Sequence, residues 1–101
     1  MDQIKVITLC GSLKFKKEFK ATEAALTRKG YAVIRPVFLE QTVTKAEAQL
    51  LGTIHYKKIA VADEIFVIDV DGYIGESTQN EIAYAKRSKK IVRYYSEEVI
   101  F

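Results

Sequence analysis

An α/β domain is predicted by three features of the sequence. Short apolar runs rich in β-branched residues alternate with stretches of ten or more residues that carry a helical period. Glycines stand where such elements turn or stop, at Gly11 and Gly30. The length, 101 residues, allows one domain and no more. Right-handed crossovers then make the sheet parallel, with four strands in the order 2-1-3-4 and helices on both faces. The expected architecture is a small three-layer Rossmann-like or flavodoxin-like sandwich, with residues 1–101 as its single domain.

Each element follows from local pattern. Ile4 to Cys10 forms a buried strand that Gly11-Ser12 ends. Phe15, Phe19, Thr22 and Leu26 share the stripe of a first helix, whose other faces carry Lys16, Lys17, Lys20 and Arg28 and which Gly30 stops. Tyr31 to Ile34 is a second strand ending before Pro36, and Val37 to Val43 is a connection without period. Thr44-Lys45-Ala46-Glu47 has the spacing of a capping box, and Leu50, Ile54 and Val61 mark the apolar face of a second helix running to about Ala62. Glu64 to Ile68 is the third strand, and Asp69 to Glu76 is a loop. A cap at Ser77 or Thr78 opens a third helix to about Ser88, and Ile91 to Tyr95 is the fourth strand.

Composition narrows the function classes. An apolar fraction of 49% with a single proline excludes a disordered or low-complexity chain. No stretch approaches the roughly 20 apolar residues of a membrane span, and no secretory signal opens the chain, so a cytoplasmic protein is expected. One cysteine, Cys10, allows no intrachain disulfide, and with one histidine no zinc site of the usual Cys/His type; neither metal nor cofactor is expected. A formal charge of +3, carried by twelve Lys and four Arg, is too modest to argue for a nucleic-acid partner, and none is expected, because the aromatic residues do not alternate with the lysines as a stacking platform requires: Phe15 and Phe19 share a helix stripe apart from Lys16, Lys17 and Lys20. The charge is unevenly placed: six acidic residues and no basic one lie between Asp63 and Glu81.

Ligands of an open parallel sheet bind at the carboxyl ends of the strands beside the topological switch point, here between strands one and three. Two loops meet there. In the first, Gly11, the Ser12 hydroxyl and Lys14 suit an anion; the alternative is that Gly11 makes a tight turn and Ser12 caps the helix. The second runs from Asp69 to Glu81 and collects Asp69, Asp71, Glu76 and Glu81. Clustered carboxylates raise one another's proton affinity and so supply acid–base or nucleophilic groups. A purely structural role is open for Glu81, because Thr78-x-x-Glu81 also has capping-box spacing. Asp69 and Asp71 could likewise be solvated turn residues, and Tyr73 a partial lid.

Leu9-Cys10-Gly11-Ser12, Ala62 to Ile68, Gly75 to Ser77, Asn80-Glu81-Ile82-Ala83-Tyr84-Ala85 and Lys89-Lys90-Ile91 together resemble the nucleoside 2-deoxyribosyltransferase superfamily, which includes the 2'-deoxynucleoside 5'-monophosphate N-glycosidases. The resemblance spans nearly the whole chain in order. It implies that Glu81 is a nucleophile attacking C1' of a nucleoside or nucleoside 5'-monophosphate, giving a ribosyl ester that water or a second base resolves. It also implies that Ser12 and Ser77, with Gly11, Lys14 and Gly75, hold a 5'-phosphate, and that Tyr73 stacks on a base. Three family positions depart: Thr8 offers the only hydroxyl where a tyrosine is common, and His55 and Gly75 fall where the family places carboxylates. His55, Asp69, Asp71 or Glu76 would then supply the proton donor. The alternative is a nucleotide-binding module without turnover. So short a chain has little left to wall a nucleotide pocket, and a homodimer or higher homo-oligomer is expected to complete it.

Overall fold

In a computed structural model, which describes residues 3–98, the four strands are β1 (Val6–Gly11), β2 (Ala32–Ile34), β3 (Glu64–Ile68) and β4 (Ile91–Tyr94). They pair in parallel in the order β2-β1-β3-β4, as the sequence predicts. Three helices connect them: α1 (Lys16–Arg28), α2 (Lys45–Ala60) and α3 (Glu76–Arg87). No helix among the described residues is long and apolar enough to cross a membrane.

Alternation along the strands divides the core in two. Ile7, Leu9, Phe66 and Ile68 face Phe19 and Leu26 of α1. Cys10, Ile65 and Val67 face Ile59 of α2 and Ile82 and Ala85 of α3. Every residue of β3 is buried, as expected of a central strand covered on both faces. One of them is Glu64, whose carboxylate meets Arg93 at 3.1 Å; Arg93 in turn holds Glu98 at 2.7 Å and the Tyr31 hydroxyl at 3.0 Å. This buried pairing across β3 and β4 carries no sequence motif.

Several boundaries differ from expectation. Ile4 precedes β1 and is exposed, Tyr31 precedes β2, and Tyr95 begins a short 3-10 turn after β4. A further 3-10 turn, Leu13–Phe15, separates Ser12 from α1. The loop after β3 tightens into a third, Val70–Gly72, in which Asp71 adopts φ 54°. The larger correction concerns α2. Its capping box forms, with the Thr44 hydroxyl accepting from the Glu47 amide and the Glu47 carboxylate from the Thr44 amide. The expected apolar face is reversed, however: Leu50, Ile54 and Val61 are exposed, and His55 and Ile59 are buried. Apolar residues occur all around this helix, so periodicity alone leaves its rotation open, and packing against β1 and β3 decides it. From Lys45 to Ile54 only Leu51 is even half-buried, so the first half of α2 stands free of the sheet.

Candidate functional site

The carboxyl edge of the sheet beside the β1/β3 junction gathers one residue from each of three elements. Cys10 stands one residue before the end of β1 and points to the α2/α3 side. His55 lies beyond the middle of α2, where the helix first meets the sheet, and Glu81 lies in the second turn of α3. His55 Nε2 is 3.4 Å from Cys10 Sγ and 3.8 Å from Glu81 Oε1. Cys10 is fully buried and His55 nearly so, whereas the Glu81 side chain keeps 14% of its surface open to solvent. Glu81 is therefore the most exposed member of the cluster.

Burial sets the protonation of all three groups. It pushes the Glu81 carboxyl from 4.5 up to about 7. His55 falls from 6.5 to about 4, chiefly through burial and secondly through the charge of Lys58, so the imidazole is neutral at neutral pH. Burial, and then the nearby Glu81 charge, push the Cys10 thiol well above 9.0. Near neutrality the cluster holds a protonated thiol, a neutral imidazole and a carboxyl that exchanges its proton with solvent.

A sulfur, a nitrogen and an oxygen donor within 4.8 Å of one another form a set that a small divalent cation could bridge. A ligating imidazole ordinarily gives its second N–H to an outer partner that fixes the ring. His55 Nδ1 is buried and has no such partner among the described residues. The cluster therefore fits proton handling better than a resident metal.

The capping alternative for Glu81 does not apply. Helix α3 begins at Glu76 with Gly75 as its cap, and the cap makes no side-chain hydrogen bond. Glu81 is thus the sixth residue of the helix, beyond the reach of the free first-turn amides.

The remaining expected site residues lie elsewhere. Asp69 is buried, and both its oxygens are engaged by Ser96, from the amide at 2.8 Å and the hydroxyl at 2.7 Å. It fastens the C-terminal 3-10 turn to the end of β3. Asp71 is exposed on the turn after β3 and does not join the cluster. The Ser12 hydroxyl accepts from the Lys14 amide at 3.3 Å, the bond of an ordinary cap. The Lys14 ammonium sits 3.5 Å from the centre of the Tyr73 ring, and that ring packs edge-on against Phe15 at 5.9 Å. Gly11, at φ 148°, brings its backbone against β3, where a Cβ would lie 2.8 Å from the Ile68 carbonyl oxygen. Gly75 lies under Tyr73, and Ser77 is exposed in the first turn of α3. Thr8, at the position where the resemblance implies a tyrosine, donates instead to the Lys58 carbonyl at 2.8 Å and anchors α2 to β1.

In sequence, Cys10 reads only as the end of a buried strand, with no disulfide or metal partner and no place in the site. The signal that places it in the cluster is strand alternation, which sets Thr8 and Cys10 on the same face of β1 as the helix bearing His55.

Fold and cluster define an open parallel α/β domain with a buried, proton-exchanging carboxyl group beside its switch point. Residues 8–94 match the family described as a domain of unknown function, DUF4406, and the chain belongs to that family. No curated protein matches the sequence.

Proposed function

We propose that this chain cleaves or transfers the N-glycosidic bond of a (deoxy)nucleoside or nucleoside 5'-monophosphate, with Glu81 as the nucleophile. The observation that carries the reading is the Glu81 carboxyl at the switch point, mostly buried, open to solvent on one side and 3.8 Å from a neutral imidazole. In its ionised form Glu81 attacks C1', the C1'–N bond breaks, and the base departs with the bonding pair and takes a proton from solvent. Water or a second base then attacks C1' of the ester and releases the carboxylate. His55, neutral and 3.8 Å from Glu81, backs the carboxylate on its inner side, and its Nε2 is held at 3.4 Å from Cys10 Sγ.

The test is release of free base from a panel of nucleosides and 5'-monophosphates, with Glu81→Gln as control. Activity is expected to rise with pH to a plateau above about 7, because the nucleophile must be ionised. A profile that falls through the same pH would assign Glu81 to acid catalysis, and equal release by the variant would end the proposal.

A binding module without turnover is the second reading. It is favoured by the lack of an acid beside Glu81: Asp69 is committed to Ser96, Asp71 is remote from the cluster, and His55 is neutral. Saturable nucleotide binding without base release would establish it.

Assembly and compartment belong to the same proposal. The unpartnered apolar half of α2, with Leu50 59% and Ile54 41% exposed, supports a homo-oligomer that covers this arm and walls the site. Cys10, a buried free thiol, suits a reducing cytoplasm.

A further inference from the structure

A second concavity lies at the same carboxyl edge of the sheet, on the α1 side and away from the Cys10–His55–Glu81 cluster. It is a groove of about 500 Å³ between the first two turns of α1 and the segment that follows β2, and Lys16, Lys20, Arg35, Pro36, Val37 and Phe38 line it. Its three cations come from two separate elements. Arg35 Nε pairs with Glu23 at 3.0 Å, which leaves the rest of its guanidinium facing Phe38, 5.5 Å from the ring centre. Lys16 reaches the same ring at 5.9 Å, and among the described residues neither Lys16 nor Lys20 has an ion-pair partner. With Glu23 counted, the groove carries a local charge of +2.

Like charges held around one concavity repel unless a counter-charge joins them, and a groove of this volume matches small-molecule sites. Its walls differ in kind. Lys16 and Lys20 of α1 and Arg35 supply the charge, while Pro36, half-exposed Val37 and the Phe38 ring add an apolar strip that continues the chain from Arg35. The Phe38 ring is held in place by an edge-on contact with Phe19 at 5.3 Å, so the strip is fixed before any ligand arrives. Lys58 donates to the Arg35 carbonyl at 3.1 Å and fixes the backbone beneath it.

We propose that this groove binds a phosphomonoester, its dianion held by Lys16, Lys20 and Arg35 and its organic part lying along Pro36–Phe38. The dianion, fully charged above its second pKa of about 6, matches the local +2. The inference stands apart from the Glu81 reading, since binding here requires no bond cleavage.

Titrations of the full chain with phenyl phosphate, inorganic phosphate and phenol, followed by amide resonances, test it. Phenyl phosphate is expected to shift the amides of residues 16–20 and 35–38 saturably, and phenol to shift none of them. Lys16→Ala with Lys20→Ala, both on the exposed surface, should raise the phenyl phosphate Kd about tenfold or more, in line with the loss of charge-assisted contacts. Glu81→Gln should leave that Kd unchanged, which separates this site from the one proposed for base release. Shifts confined to residues near Glu81, an unchanged Kd in the lysine double variant, or inorganic phosphate binding as tightly as phenyl phosphate would each overturn the proposal.

Discussion

Glu81 and His55 are titratable groups buried in contact with each other, and their shifts run in opposite directions. The Glu81 carboxyl rises to about 7 through burial, and His55 falls to about 4 through burial and then Lys58. From pH 4.5 to 7 the folded protein keeps a proton on Glu81 that the unfolded chain has lost, so this group makes stability fall as pH rises. From pH 4 to 6.5 the unfolded chain keeps a proton on His55 that the folded protein lacks, so that group makes stability rise with pH. The facing Cys10 thiol stays protonated throughout. Between 4.5 and 6.5 the two slopes oppose, and the pair contributes little net pH dependence there. Glu81→Gln should leave a melting temperature that climbs across this interval, and His55→Asn one that declines. Identical profiles in both variants and the parent would contradict the burial of the pair. Gly11 is the other residue whose identity the fold demands. Gly11→Ala forces a Cβ to 2.8 Å from the Ile68 carbonyl oxygen at φ 148° and should cost at least about 1–3 kcal/mol by thermal or urea unfolding.

At the scale of elements, acidic residues that look alike in sequence do unlike things. Asp69 and Glu81 both follow β3, yet Asp69 accepts two hydrogen bonds from Ser96 and Glu81 accepts none from a helix cap. Asp69→Ala should release the C-terminal 3-10 turn, which packs through Tyr95 on the core, and lower stability by about 2–3 kcal/mol for the buried bonds lost. Base release per folded molecule should survive that change. A loss of activity without a loss of stability would return Asp69 to the site. Strand order, strand polarity and the α2 capping box are legible in sequence, because β-branched runs, glycine stops and S/T-x-x-E spacing act locally. The burial of His55 is not legible, because α2 is apolar on every side and only its seat against β1 fixes which stripe turns inward.

For the whole molecule, the first half of α2 is a stretch that packing among the described residues leaves exposed. Leu50→Asp with Ile54→Asp should shift light-scattering mass from oligomer to monomer while leaving the fold intact, since both positions lie outside either core cluster. A parent protein already monomeric at high concentration would remove the arm from any assembly role. The net charge of +3 also gains a spatial meaning. Glu81 lies on the α2/α3 side, while the Lys16–Lys20–Arg35 groove lies on the α1 side of the same edge.

Legible from the residues alone are the layer architecture, the strand order 2-1-3-4, the capped start of α2 and the choice of Glu81 as the carboxylate to watch. The first three follow from periodicity, turn chemistry and a handedness rule that hold for any chain with such a pattern, and the choice of Glu81 follows from the acidic loop and the family that its surroundings resemble. Only the tertiary structure decided that Glu81 meets His55 and Cys10, that Asp69 belongs to Ser96, and that two lysines of α1 and Arg35 enclose a groove. Those outcomes depend on how helices rotate and where strands end, and side chains distant in sequence settle that competition for the same buried volume.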